Sequence, residues 1–279
     1  MRLFIVGAGT MGAGIAETAL MYGHQVILTD PDRGSRERAE QRIRHGLERS
    51  LDRGRLNGTL DELLVGLSVD AAWPDGPVDW VIEAALEDVA LKQAVFAELD
   101  ESFSESVWLA SNTSSIGISR IKVRASHFPE RIGGLHFFNP VPRMGLVEII
   151  QASDTSDDFV AAARSLVHSV HKTAVVVPDR PGFLVNRVAR PYYLEALRLV
   201  DDGVAAFDLV DRVMEGAGFP MGPFRVMDLV GVDVNLAVTQ SVYEQTFHDE
   251  RYRPHAIQAQ LVERGYLGRK TGRGFYHYD

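Results

Sequence analysis

Residues 2–30 read RLFIVGAGTMGAGIAETALMYGHQVILTD, and this stretch decides the fold. The apolar residues 2–6 predict a buried strand, and three glycines follow at positions 7, 9 and 12. A helical pattern and a second apolar strand come next, and that strand ends at Asp30. In such a βαβ unit the first glycine permits a tight turn and the second lets the backbone approach a pyrophosphate. The third allows the helix to pack closely on the strand.

The residues expected to surround the cofactor phosphates open the first helix; they are Gly7, Gly9, Thr10, Met11 and Gly12. Free N–H groups and the positive end of the helix dipole favour phosphates at this position. Asp30 can accept hydrogen bonds from ribose hydroxyls, and it would repel a 2′-phosphate. We therefore predict a nicotinamide-type dinucleotide, NAD in preference to NADP. A structural glycine turn and an FAD site are the alternatives.

The composition narrows the class of protein. Of 279 residues, 46% are hydrophobic and 24% charged, which is typical of a soluble globular protein. The chain has no cysteine, which excludes disulfides and thiolate chemistry, and we expect no metal site. A net charge of −9 disfavours nucleic acid and anionic membranes as partners. With no 18-residue apolar run and no signal-peptide pattern, we expect a cytoplasmic protein.

Strand and helix patterns alternate through the first two-thirds of the chain. Further strands are predicted at residues 79–85, 107–111, 131–138, 146–151 and 173–177. Helices are predicted at residues 88–99 and 157–168. This alternation predicts an α/β fold with a Rossmann-type doubly wound sheet and helices on both of its faces.

Prolines 178 and 181 with Gly182 then break the pattern. Only helical patterns follow, at residues 183–200, 207–216, 224–229, 232–247 and 254–264. We therefore predict an NAD-binding Rossmann domain over residues 1–182 and an all-helical domain over residues 183–279. The apolar residues 230–238 point to a subunit contact in the helical domain.

A histidine and a glutamate are the candidate catalytic residues. His136 lies at the end of an apolar strand, and the carboxyl ends of such strands face the ligand crevice. Glu148 lies inside the next apolar strand, where a charge is costly unless it has a partner. The turn at residues 139–142 can bring the two together, and the carboxylate would then orient the imidazole as a general base for alcohol oxidation. A buried structural pair is the alternative.

Several segments resemble the L-3-hydroxyacyl-CoA dehydrogenase family, and the short bacterial 3-hydroxybutyryl-CoA dehydrogenases are the most similar in length. They are SNTSS at 111–115, LHFFNPVP at 135–142, LVE at 146–148, PGFLVNR at 181–187, FPMGPF at 219–224 and LGRKTGRGFY at 267–276. They occur in order along essentially the whole chain. The resemblance implies reversible, NAD-dependent oxidation of a short-chain (S)-3-hydroxyacyl-CoA to the 3-ketoacyl-CoA. It also implies a homodimer formed through the helical domain.

The resemblance implies roles for the matched residues. His136 would be the acid and base, and Glu148 would orient it. Ser114 would hydrogen-bond the 3-oxygen of the substrate near the nicotinamide, and Asn186 would contact the reacting oxygens. The matched cofactor contacts are Asp30, Glu87, Lys92, Ser114 and Asn139.

The sequence departs from the family pattern where relatives contact the CoA carrier. Gly145 stands where the family has a lysine, and arginines replace the lysines of the segment that contacts CoA in relatives. Arg53 and Arg55 are therefore candidate carrier contacts, since arginine binds phosphate at least as well. The basic residues 33–55 could equally form a solvated helix face. The alternatives for the function are the same hydride chemistry on an acyl-carrier-protein thioester or on a free hydroxy or sugar acid, and a non-catalytic NAD-binding structural protein.

Overall fold

The computed structural model describes residues 1–74 and 76–278. The chain divides into two compact units, Met1–Asp179 and Arg180–Asp279. The predicted boundary, after residue 182, lies three residues beyond this division. Among the described residues, no helix is long and apolar enough to cross a membrane.

Eight strands of the first unit form one sheet in the order β3-β2-β1-β4-β5-β6-β7-β8. Their bounds are β1 Arg2–Val6, β2 Gln25–Thr29, β3 Leu67–Asp70, β4 Trp80–Glu83, β5 Trp108–Ser111, β6 Ile132–Phe137, β7 Leu146–Gln151 and β8 Thr173–Pro178. Neighbouring strands are parallel except β6 and β7, which are antiparallel. The strand order reverses between β1 and β4, and ligands bind beside such a switch point in doubly wound sheets. The predicted α/β fold is confirmed.

Six helices accompany these strands: α1 Thr10–Met21, α2 Arg33–Asp52, α3 Leu60–Leu64, α4 Val89–Ser102, α5 Ile118–Ile121 and α6 Asp157–Ser169. Side-chain oxygens accept hydrogen bonds from first-turn amides in four of them, α2, α3, α4 and α6; the capping residues are Asp32, Thr59, Asp88 and Ser156. Each such cap satisfies an amide that has no partner inside its helix. The α1 helix begins after Gly9 and has no side-chain cap, which leaves its first amides to other acceptors.

The core of this unit joins the sheet to its helices. Ile5 of β1, Ile15 of α1 and Phe159 of α6 are among its buried side chains. The ring of Phe159 occupies the space that a side chain at Gly133 would need, so β6 and α6 pack without a gap. This packing holds β6, the strand that carries His136, in place.

The second unit is helical, as predicted. Its helices are α7 Val185–Asp201, α8 Phe207–Gly216, α9 Pro223–Val230, α10 Val232–Gln245 and α11 Ala256–Glu263. Leu197, Phe224 and Met227 are buried in its core. The buried carboxylate of Asp228 accepts hydrogen bonds from the amides of Phe275 and Tyr276, which ties the C-terminal segment to α9.

Candidate active site

The loop between β1 and α1 leaves unfilled space at Gly9. Gly7 has φ +109°, and a Cβ there would lie 2.6 Å from the carbonyl carbon of Ala84. A Cβ at Gly12 would collide with the carbonyl oxygen of Gly7, whereas nothing lies within 4 Å of the corresponding position at Gly9. The loop therefore has room for a phosphate at Gly9, and the first amides of α1 are the donors it would meet. These residues fit a dinucleotide pyrophosphate.

Asp30 is fixed at the tip of β2. Its Oδ2 accepts a hydrogen bond from the amide of Ala8 at 2.9 Å, and its Oδ1 accepts one from the amide of Asp32 at 2.9 Å. The carboxylate thus lies directly beside the phosphate loop, where the ribose of a bound dinucleotide is expected. Arg33, the nearest following cation in the sequence, pairs with Glu37 at 2.7 Å. This arrangement favours NAD over its 2′-phosphorylated form.

His136 and Glu148 lie directly opposite each other in the antiparallel pair β6–β7. Nδ1 of the histidine is 2.6 Å from Oε2 of the glutamate, and the two residues are 5% and 0% exposed. Cross-strand partners share a face of the sheet, which is why the two side chains meet. The structure thus brings the two side chains into contact.

Glu87 organises the loop that follows β5. Its Oε1 accepts hydrogen bonds from Thr113 Oγ1 at 2.7 Å, from the amide of Ser114 at 3.0 Å and from the amide of Ser115 at 3.1 Å. Burial opposes ionisation, but the Lys92 ammonium and these hydrogen bonds together lower the pKa of Glu87. The half-buried Ser114 is thereby held through its backbone at the carboxyl edge of the sheet.

The same loop is tied to the strand of His136. The side-chain oxygen of Asn112 accepts a hydrogen bond from the amide of Phe137 at 2.8 Å. Because β5 and β6 are parallel neighbours, Ser114, which follows β5, lies at the same edge of the sheet as His136, the penultimate residue of β6. These are the two predicted residues of the first unit that would face the reacting atoms.

Glu83 is a site residue that the sequence reasoning missed. It ends β4 and is fully buried, and its Oε1 accepts hydrogen bonds from Lys92 Nζ at 2.6 Å and from the amide of Ala85 at 2.7 Å. Its Oε2 accepts one from Ser111 Oγ at 2.6 Å. Lys92 Nζ also lies 3.5 Å from Glu87, so this lysine, 1% exposed, bridges the two carboxylates. An acid inside an apolar strand was the signal that identified Glu148, and it applies equally to Glu83.

Lys172 is a second residue that was missed. Its Nζ donates hydrogen bonds to the carbonyl oxygens of Val141 and Met144, both at 2.7 Å. These carbonyls belong to the connection between His136 and Glu148. Burial lowers the pKa of Lys172. No sequence motif singles out this lysine, because its acceptors are backbone atoms some 30 residues away.

The remaining predicted residues lie apart from this cluster or outside the first unit. Asn139 is exposed two residues after β6 and precedes a cis peptide bond to Pro140. Arg53 and Arg55 are exposed directly after α2. Asn186 lies in the second unit, in the first turn of α7, and is half-buried.

Comparison with known families identifies the family of this chain. The family model of the NAD-binding domain of 3-hydroxyacyl-CoA dehydrogenase matches residues 2–180, and the model of its C-terminal domain matches residues 182–278. The chain belongs to the 3-hydroxyacyl-CoA dehydrogenase family. It is therefore an NAD-dependent oxidoreductase, as the βαβ motif and the resemblance predicted.

Relatives of this dehydrogenase cover its whole length. The chain is 43% identical to the 3-hydroxyadipyl-CoA dehydrogenase of Escherichia coli over 98% of its residues, and it spans 58% of that longer protein. It is 38% identical to the 3-hydroxybutyryl-CoA dehydrogenase of Clostridioides difficile, and all of both chains is covered. The crystal structure of (S)-3-hydroxybutyryl-CoA dehydrogenase from Ralstonia eutropha superposes with a TM-score of 0.93 at 37% identity. That alignment covers 100% of this chain and 99% of the other.

Proposed function

We propose that this dehydrogenase oxidises short-chain (S)-3-hydroxyacyl-CoA thioesters reversibly to 3-ketoacyl-CoA, with His136 and Glu148 as its acid–base pair. The observation that carries the proposal is the 2.6 Å contact between the two buried side chains at the carboxyl edge of the sheet. The relatives named for 3-hydroxybutyryl-CoA and 3-hydroxyadipyl-CoA support a chain of four to six carbons.

In this proposal Glu148 accepts a hydrogen bond from protonated Nδ1 and so fixes the tautomer of His136. Nε2 then takes the proton of the C3 hydroxyl, and the buried carboxylate stabilises the positive charge that develops on the ring. When bound, NAD would supply the acceptor for the C3 hydride. In the reverse reaction the imidazolium returns its proton to the 3-oxygen.

Hydrogen-bond donors would stabilise the oxygens whose charge changes during the reaction. Ser114 is proposed as the donor to the 3-oxygen, because its bond to Glu87 holds its backbone at the carboxyl edge of the sheet. The resemblance adds Asn186 as a contact of the substrate oxygens. Glu87, Lys92 and Asn139 are proposed cofactor contacts; in this network Lys92 Nζ is enclosed and supports Glu87.

The test is NADH formation with (S)-3-hydroxybutyryl-CoA, compared with the same acyl group on N-acetylcysteamine. Efficient turnover of the CoA ester alone supports the proposal. Exchange of both Arg53 and Arg55 for alanine should then raise KM for the CoA ester and leave the small thioester unaffected, since both cations are exposed. Equally weak turnover of the two thioesters would instead favour a carrier-protein thioester or a free hydroxy acid.

We also propose a cytoplasmic homodimer formed through the helical unit. Apolar side chains of this unit are exposed: Val188, Leu229, Val230 and Val234. Exposed apolar groups that lie close together favour a protein partner. Val230 and Val234 flank the junction between α9 and α10, so they are the first candidates for the contact.

A further inference from the structure

Arg190 of α7 is a buried cation that has no carboxylate partner among the described residues. The residue is 4% exposed, and its Nη1 donates hydrogen bonds to the backbone oxygen of Asn235 at 2.9 Å and to Thr239 Oγ1 at 3.1 Å. Its Nε is enclosed and makes no hydrogen bond with any described residue. Both acceptors are neutral, and the guanidinium carbon lies 4.9 Å from the centre of the Tyr193 ring, so the charge faces an aromatic ring and no carboxylate among the described residues.

A second deeply buried arginine does have a carboxylate partner. Arg131 of the first unit pairs with Asp100 at 3.0 Å, and both residues are almost fully enclosed. Burial of a cation without such a partner is costly, and it lowers the pKa of Arg190 to about 10. Nε of Arg131 is likewise enclosed without a hydrogen-bond partner, so the feature that sets Arg190 apart is the missing carboxylate, which an anion from outside the chain would supply.

A second unsatisfied atom lies in the same cluster. Gln258 of α11 donates from Nε2 to Asn235 Oδ1 at 2.8 Å, while its Oε1 is buried and has no hydrogen-bond partner in the described part of the chain. Buried polar atoms are nearly always paired in native proteins, so two orphans around one asparagine mark an incomplete site. We call Arg190, Asn235, Thr239 and Gln258 the arginine cluster.

The arginine cluster has a defined position relative to Asn186. Arg190 follows Asn186 by four residues on α7, and residues at this spacing lie on the same face of a helix. The rise between them is about 6 Å, roughly the length of two or three methylene groups with a carboxylate. If Asn186 contacts the oxygens at C3, an anion at Arg190 would lie that far along the acyl chain.

We propose that Arg190 binds the terminal carboxylate of the acyl chain, so that this enzyme prefers 3-hydroxyacyl-CoA substrates derived from dicarboxylic acids. The inference rests on the proposed function of the His136 site. Nη2 of the planar guanidinium would donate to a carboxylate oxygen, while Nη1 keeps its bonds to α10.

The test compares two substrates of equal chain length, (S)-3-hydroxyadipyl-CoA and (S)-3-hydroxyhexanoyl-CoA, which differ only in the terminal carboxylate. The wild-type enzyme should favour the acidic substrate in kcat/KM by about 10- to 100-fold, the range expected for a hydrogen-bonded charge pair. Arg190→Met should bring the ratio close to one, and Arg190→Lys should give an intermediate ratio, because it keeps the charge without the planar guanidinium. Arg198→Met is the matched control, since Arg198 lies on the same helix and already pairs with Glu195; its ratio should equal that of the wild type.

Three results would overturn the inference. The first is a wild-type ratio near one, and the second is a ratio that Arg190→Met leaves unchanged. The third is an equal loss with both substrates in Arg190→Lys, which would mean that the anion belongs to CoA and not to the acyl chain. If Arg190→Met does not fold, the wild-type ratio and the Arg190→Lys ratio still decide the matter. Turnover of (S)-3-hydroxybutyryl-CoA shows which hypothesis has failed. If only the role of Arg190 is wrong, this substrate is still oxidised. If the proposed function is wrong, none of the three acyl-CoA esters is oxidised.

Discussion

His136 and Glu148 function as one unit, because the carboxylate sets both the tautomer of the imidazole and the stability of its protonated form. Glu148→Gln keeps the shape of the side chain and removes its charge. We expect kcat for (S)-3-hydroxybutyryl-CoA to fall by about 10²- to 10⁴-fold. The dissociation constant of NAD, measured by fluorescence titration, should stay within about twofold, since two strands, β5 and β6, separate β7 from β4. Unchanged kcat would reduce the pair to a structural role.

Glu83 is expected to contribute stability through its bonds to Lys92 and Ser111. Glu83→Gln leaves the lysine ammonium buried with only the half-exposed Glu87 as an acidic partner. Loss of one member of a buried pair costs about 3 kcal/mol, which urea unfolding would measure. The double variant Glu83→Gln/Lys92→Met removes both charges and should recover much of that loss. Equal loss in the single and double variants would show that the ion pair is not the cause.

These residues show how far the sequence could predict the site. The position of Glu148 followed from one physical rule, that an acid in an apolar strand needs a partner, and the turn before β7 supplied that partner. The bridge through Lys92 and the two bonds of Lys172 join distant segments, and nothing in local spacing reveals them. The sequence does not reveal Arg190 either, because its lack of a carboxylate partner among the described residues depends on which side chains surround it after folding.

At the scale of elements, α1 and α2 approach each other at Gly46, where any side chain would collide with the Glu17 carboxylate. Burial raises the pKa of Glu17 from its usual 4.5 to about 7, although Arg49 and Arg143 oppose the shift. Between these two values the folded protein binds more protons than the unfolded chain. This group therefore stabilises the fold less as the pH rises from 4.5 through 7.

Glu17→Gln should remove this dependence of stability on pH. Relative to the wild type, the variant should gain about 2 kcal/mol in free energy of unfolding between pH 5 and pH 8. Urea unfolding of both proteins at both pH values measures their free energies of unfolding. Subtracting the wild-type value from the variant value at each pH cancels the contributions of all other titrating groups. A constant difference between wild type and variant would mean that Glu17 ionises normally in the folded protein.

The sequence predicted most elements but not how all of them pair. The strand at residues 146–151 was located from its apolar run, yet its antiparallel pairing with β6 depends on a connection whose path the sequence does not specify. The β3 strand was missed because it has only four residues at the edge of the sheet, and its side chains alternate between half-buried and exposed. Such a segment lacks the continuous apolar run that marks a central parallel strand.

For the whole molecule, the proposed homodimer gives a prediction about mass. The wild-type protein should have about twice the chain mass of 30.9 kDa in light scattering after gel filtration. The double variant Val230→Glu/Val234→Glu places two charges in the proposed contact and should elute as a monomer, because burying unpaired charges is costly. Val65→Glu is the matched control: Val65 lies in the first unit and is 86% exposed, so its variant should remain a dimer. A wild-type mass near 31 kDa, or a double variant that stays dimeric, would contradict this contact.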